Sequence, residues 1–264
     1  MVINNTGYSS LKIFCESKSA NINIHNSRKI WSIQTPIVLG ASSNVRMLCS
    51  VESCSIPLAY YTINETNNRF SFNGVVSYIS YGNYTATSVA EAINRKQSIF
   101  KFAYSKDASK FMILGTFGQN TIDECPNNMY KLLGLTPTSF TRTGDEYYFP
   151  SGVVNLVYTS GIYVSLNNIS NANIDTGTKA SSTCLLRIPI SQPTNTYLQY
   201  FNAVGFKNLL SSSVLCELDI SLLDDNRNLL QLSDNVDWVI VLRIDFERVI
   251  TETLETTKIN ARRP

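Results

Sequence analysis

Apolar residues recur at every second position through much of this chain, the period of a half-buried strand. Residues 20–24 and 29–33 alternate in this way and flank an Asn26-Ser27 turn. Over 44–54, Val45, Met47, Cys49 and Val51 fall on one face and Arg46, Leu48 and Ser50 on the other, with Pro57 closing the segment. Toward the end, Val214, Cys216, Leu218, Ile220 and Leu222 alternate with polar neighbours, and Trp238, Ile240, Leu242, Ile244 and Phe246 do the same. The run Asp224-Asp-Asn-Arg-Asn between them predicts a turn. Residues 153–158, 162–166 and 183–190 complete the predicted strands of this texture.

The texture changes in the middle of the chain. Asn73-Gly74 is a strong two-residue turn signal and predicts a hairpin from 69–72 and 75–81. A short helix follows, with Ser88 and Glu91 spaced as a capping box and Val89, Ala92 and Ile93 on one apolar face. Residues 100–104 and 111–114 predict a second hairpin turning at Lys106-Asp-Ala-Ser. A second helix over 127–133 stops at Gly134. The order ββαββα is compact enough for a small domain of its own. The expected organisation is therefore a β-sandwich in two parts, 1–67 and 146–264, interrupted by an inserted α+β domain over 68–145. Residues 1–19 and 254–264 are expected to be an arm and a tail. Outside the insertion the chain offers roughly eight strands, the number a single jelly roll needs.

Composition agrees with a mainly β protein. Charged residues are only 16% against 44% hydrophobic, so Ser, Thr, Asn and Tyr must cover the exposed faces. Fourteen Tyr and twelve Phe supply the rigid, bulky area that interfaces favour. The formal net charge of +2 is too small to make the whole chain a nucleic-acid binder. The one basic cluster at an end is Arg262-Arg263 after Lys258, where a packaged genome would be met if one is met at all. The start lacks the charged and apolar regions of a signal peptide, and no apolar run reaches the length of a membrane span. Synthesis in a cytoplasm-like compartment is expected, with the sequons at Asn4, Asn64, Asn83 and Asn168 left unmodified. Six cysteines without a Cys-x-x-Cys pair read as reduced, mostly buried thiols, and the five-residue spacing of Cys49 and Cys54 predicts opposite faces.

Chemistry is scarce. The single histidine, His25, sits beside a turn, so neither a His-based triad nor a His-based metal site can be assembled around it. There is no Gly-x-Ser-x-Gly elbow and no phosphate-binding glycine loop. Asp224, Asp225, Asn226 and Asn228 form an oxygen-rich stretch, but such runs are ordinary turn chemistry and the rest of a calcium loop is missing. Asp234, Asp237 and Asp245 are the carboxylates a glycosidase reading would use, if the fold brought two of them to one cleft. Tyr78, Tyr81, Tyr84, Tyr104, Phe111 and Phe117 would line a sugar-binding face or pack inside the inserted domain. No catalytic, cofactor-binding or metal-ligating residue is assigned.

Three stretches carry a family resemblance. They are Ser55-Ile-Pro-Leu-Ala-Tyr-Tyr-Thr-Ile-Asn-Glu-Thr-Asn-Asn; Gly82-Asn-Tyr-Thr-Ala-Thr-Ser-Val-Ala-Glu-Ala-Ile-Asn with Lys131-Leu-Leu-Gly-Leu; and Leu218-Asp-Ile-Ser-Leu-Leu-Asp-Asp-Asn-Arg-Asn with Asp237-Trp-Val-Ile-Val-Leu-Arg-Ile. Leu185-Leu-Arg-Ile-Pro-Ile lies between the second and the third. Their order and spacing over about residues 45–246 resemble the penton, or minor capsid, proteins of virophages, Polinton-type elements and related viruses of the double jelly-roll capsid lineage. The resemblance implies a single jelly roll with an inserted domain, five copies of which plug each icosahedral vertex of a virion. Its implied partners are other copies of itself in a homopentamer and the surrounding major capsid protein capsomers. The insertion would project outward, toward a host surface or a fibre. No catalytic residues and no cofactor come with the family. Two other readings share part of this picture: a carbohydrate- or receptor-binding β-sandwich module of a virus or phage, and a β-sandwich hydrolase using an Asp or Glu pair.

Overall fold

Strands distant in sequence find one another in the folded chain, and the pairing order identifies the architecture. The computed structural model describes residues 2–3, 10–39, 44–169, 173–175 and 180–248. The first stretch holds β1 (Val2–Ile3), β2 (Ser10–Glu16), β3 (Ile22–His25), β4 (Arg28–Leu39) and β5 (Val45–Pro57). The middle holds β6 (Arg69–Phe72), β7 (Val75–Tyr78), α1 (Ala86–Lys96), β8 (Lys101–Ser105), β9 (Lys110–Leu114), β10 (Gly118–Ile122), α2 (Tyr130–Leu133) and β11 (Thr138–Arg142). The last stretch begins with β12 (Gly161–Leu166), β13 (Asn173–Asp175), β14 (Ala180–Ser182) and β15 (Cys184–Pro189). It ends with β16 (Tyr197–Phe201), β17 (Asn208–Leu209), β18 (Val214–Leu223) and β19 (Val239–Arg248).

Eight of these strands build a sandwich. One sheet runs β16-β5-β19-β2 and the other β4-β18-β12-β15, with antiparallel pairing throughout. Counted along the chain, the first sheet takes the sixth, third, eighth and first strands, and the second takes the second, seventh, fourth and fifth. That interleaving is the jelly roll, and the middle elements enter between its third and fourth strands. The inner faces enclose Cys15, Met47, Val51, Ile56, Val164, Leu166, Leu185, Leu218, Ile220, Leu242 and Ile244, with Trp31 packed edge-on against Trp238 at 5.6 Å. The Trp238 indole N–H donates to the Asn26 carbonyl, so the buried ring keeps its polar atom satisfied.

Several expectations change. Residues 10–16 are not part of an arm as expected over 1–19: Ser10–Glu16 is an edge strand running from Ser10 opposite Asp245 to Glu16 opposite Val239. Leu11, Ile13 and Cys15 turn inward from it. The tail over 254–264, including Arg262 and Arg263, lies outside the described residues. Cys49 and Cys54 do not face opposite ways. Between Val241 and Leu242 the partner of β19 jumps from Ser53 to Val51, so Glu52 is an extra residue in β5. The bulge resets the alternation: Met47, Cys49 and Val51 point inward before it, Cys54 and Ile56 after it. A larger irregularity between β18 and β4 sets Leu215 opposite Ile37 but Glu217 opposite Ser32. The longer side of that step contains Pro36, which has no N–H to give a ladder. As a result Leu215 is buried and Cys216 exposed, the reverse of simple alternation. Residues 153–158 form no strand. They run extended, with Val154 and Asn155 donating to the Ser109 and Leu132 carbonyls, and alternation there reflects a connector with one side buried.

The middle elements are richer than ββαββα, because β10 and β11 add two polar strands to give the sheet β11-β10-β6-β7 beside the hairpin β8-β9. Asn73 and Gly74 take φ of 48° and 75°, as a primed hairpin turn requires. The helix α1 is capped by Thr85, not by Ser88 with Glu91: Thr85 and Ser88 form the reciprocal capping box. These elements close a second cluster of buried side chains, from Ile63 to Leu135, with Phe140, Tyr148, Val154 and Leu156 packed on it. It is aromatic in character: Phe72 contacts Phe70, Phe100 and Phe102 within 5.4 Å, and Phe140 stacks on Tyr148 at 4.5 Å.

Candidate functional site

The residues singled out for chemistry are spread over the molecule. His25 Nδ1 accepts from the Ser27 N–H at 3.2 Å and lies 2.8 Å from the Ser27 hydroxyl, which places the ring in the turn. Asp224 Oδ1 accepts from the backbone N–H groups of Asn226 and Asn228, and Oδ2 accepts from the Tyr158 hydroxyl at 3.2 Å. Burial raises the Asp224 carboxyl above its ordinary range while those hydrogen bonds pull it back. Asp225, whose charge burial also opposes, is nonetheless held below the ordinary range by the Ser160 N–H and hydroxyl. Asp224 is spent on closing the turn, and Asp225 on tying that turn to Ser160 and Arg187. Asp234 pairs with Asn26, Asp237 with Ser17, and Asp245 with Lys207 and Arg243, so the three glycosidase candidates have separate partners. Burial pushes the thiols of Cys15, Cys49 and Cys54 up to about 12, which leaves them protonated and inert at neutral pH. Among the described residues, no group of three or more His, Cys, Asp or Glu could hold a metal, and no helix is long and apolar enough to cross a membrane.

What the sandwich does present is apolar surface. Register places Phe14, Val241, Ser53 and Phe201 in one row across the four strands β2, β19, β5 and β16. This row lies on the outer face, since Cys15, Ile240, Cys54 and Leu198 point inward. Phe14 is 67% exposed and Phe201 71%, two bulky rings flanking a low floor of valine and serine. In the loop that follows β16, Val204 and Phe206 are also exposed. On the other sheet the edge strand β3 exposes Ile22 and Ile24. The sandwich therefore carries two unlike apolar patches, one on each sheet.

A different site lies among the middle elements, a cleft of about 520 Å³ lined by Glu65, Thr66, Asn68, Arg69, Tyr78, Tyr81 and Asn127. Its walls are held by backbone and amide bonds. Ile63 and Gly82 exchange both backbone hydrogen bonds, the Arg69 N–H donates to the Asn127 carbonyl, and the Asn127 amide donates to the Glu65 carbonyl at 3.1 Å. The side chains of Asn64 and Asn67 lock the intervening turn. Asn64 is buried and its amide nitrogen donates to the Tyr61 carbonyl, so this sequon position faces inward. Asn127 sits at φ 54°, a left-handed conformation that asparagine tolerates better than most residues. Of the six aromatic candidates, Tyr78 and Tyr81 meet at this cleft, while Phe111 is core, Tyr84 and Tyr104 pack against it, and exposed Phe117 lies under the Arg142 guanidinium. Glu65, Arg69 and Asn127 carried no sequence signal; only the fold brings them together. Phe14 and Phe201 were missed because alternation reports which residues share a face, not which face is wet.

No protein-family model matches the sequence, and no curated protein matches it. Solved structures do. The chain is similar to a crystal structure of the mavirus penton protein, with 12% sequence identity and a TM-score of 0.49 over 91% of this chain and 100% of that one.

Proposed function

We propose that this chain is a structural capsid protein forming the pentameric vertex of an icosahedral virion. The observation that carries the reading is the outward row Phe14–Val241–Ser53–Phe201, taken with the second patch at Ile22 and Ile24. A ring of identical subunits is closed by heterologous contacts, in which one surface of each copy meets a different surface of the next. Two unlike patches on opposite sheets supply that pair, and exposed aromatic rings are the anchors such interfaces favour. The resemblance of the 55–68, 82–94 and 218–244 segments to penton proteins points the same way. In this reading the jelly roll forms the annulus and meets the surrounding capsomers. The elements between 68 and 145 form a separate inserted domain that projects outward to a host surface or fibre. The work is assembly rather than catalysis, and it takes place in the host cytoplasm and then in the virion.

The test is molar mass by light scattering across a concentration range, with particle images. Five-fold rings near five times the 29.5 kDa chain mass are expected. The double substitution Phe14→Glu/Phe201→Glu should abolish them, whereas deletion of residues 70–140 should leave them intact. A stable trimer overturns the reading.

A further inference from the structure

We propose that the cleft between Tyr78 and Tyr81 is a saccharide-binding site, an inference that rests on the cleft alone and not on the vertex reading. Tyr78 is 64% exposed and Tyr81 54%, and both rings border the same cavity. A pyranose offers a patch of C–H groups carrying partial positive charge, which suits the electron-rich face of a tyrosine ring. The Lys96 ammonium lies 5.3 Å from the Tyr78 ring centroid, a cation–π contact that occupies one face only and so leaves the ring a second face.

The polar groups around the rings are the kind that read hydroxyls. The Arg69 guanidinium, the Glu65 carboxylate and the two tyrosine hydroxyls have no hydrogen-bond or ion-pair partner among the described residues. Arginine only donates, an ionised glutamate only accepts, and tyrosine and Asn127 do both, so together they match vicinal hydroxyls that donate and accept at once. Charge narrows the class. The lining carries one charge of each sign, Arg69 and Glu65, an arrangement less suited to a polyanion than to a neutral sugar. The cavity falls within the roughly 300–1,000 Å³ of small-molecule sites. It is also built in advance: the Asn64, Asn67 and Asn127 hydrogen bonds hold the loop, so little ordering opposes binding.

The experiment exposes the full chain to an array of neutral, sialylated and sulfated oligosaccharides, then titrates the retained glycans in solution. Neutral oligosaccharides are expected to bind. Tyr78→Ala and Tyr81→Ala should each weaken binding about tenfold, and Glu65→Gln should weaken it by a smaller factor. All three side chains are exposed, and circular dichroism confirms that the variants are folded. Three results overturn the proposal: no glycan retained, retention of sulfated or sialylated glycans alone, or neutral-glycan binding unchanged in both tyrosine variants.

Discussion

The two cores of this molecule are closed by different kinds of contact. In the sandwich the edge strand β2 pairs with β19, and the Ser17 hydroxyl reaches Asp237 across 220 residues. In the middle elements the corresponding reach is far shorter: the Asn127 amide meets the Glu65 carbonyl across 62 residues and the Tyr130 hydroxyl meets Ser71 across 59. The sandwich interior is mainly aliphatic around one tryptophan pair, whereas the other cluster is a run of phenylalanines in mutual contact. Loop closure costs entropy before non-local contacts return anything, so the middle cluster is equipped to form early and the sandwich only after its last strand is available. One chain can thus close two hydrophobic clusters over very different sequence separations.

The sharpest way to break this comparison is to damage each core in turn. Trp238→Ala and Phe111→Ala both empty a fully buried aromatic site and should each cost about 3–5 kcal/mol. Hydrogen exchange read by mass spectrometry should show the Phe111 variant losing protection over 68–145 and keeping it in β2 and β19. Equal loss in both regions would mean one cooperative unit. Tyr130→Phe comes next. Its hydroxyl accepts from the Ser71 N–H at 2.7 Å and donates to the Asp123 carbonyl at 2.6 Å, so removal strands two buried groups. The expected cost in denaturant titration is about 1–3 kcal/mol, confined to the middle unit. Thr85→Ala removes the α1 cap and should cost about 0.5–2 kcal/mol there, while Glu91→Ala should cost less, since Glu91 is not in the capping box. The smallest effect belongs to Cys216→Ser, within about 0.5 kcal/mol on an exposed position. The same cysteine should dominate alkylation of the native protein at pH 8, with Cys15, Cys49 and Cys54 reacting only after unfolding. Their thiolates are disfavoured by burial until the pH approaches about 12.

The candidate sites were less legible than the fold. Turn chemistry was readable at Asn73-Gly74 and at Asp224–Asn228 because it is set within four or five residues. The strands β10 and β11 escaped notice because Gly118-Gln-Asn-Thr-Ile and Thr138-Ser-Phe-Thr-Arg have little apolar periodicity, and they are strands through the ladder they share. The cleft around Tyr78 was half visible through its aromatics. Glu65, Arg69 and Asn127 join it through the backbone contacts among Ile63, Gly82, Arg69 and Asn127.

By itself the sequence determined a mainly β chain with two textures, the hairpin turns, the inward face of β19, and the lack of histidine-based chemistry. Those features follow from local sterics and from the two-residue period of an extended chain. Tertiary structure decided which strands pair, which way Cys54 and Cys216 face, and that Phe14 and Phe201 stand in one exposed row. A period of two carries no memory across an extra residue, so the bulge at Glu52 and the irregular step near Pro36 reset the faces beyond them. Whether a face is covered depends on which sheet packs against it, and that is a property of the whole chain.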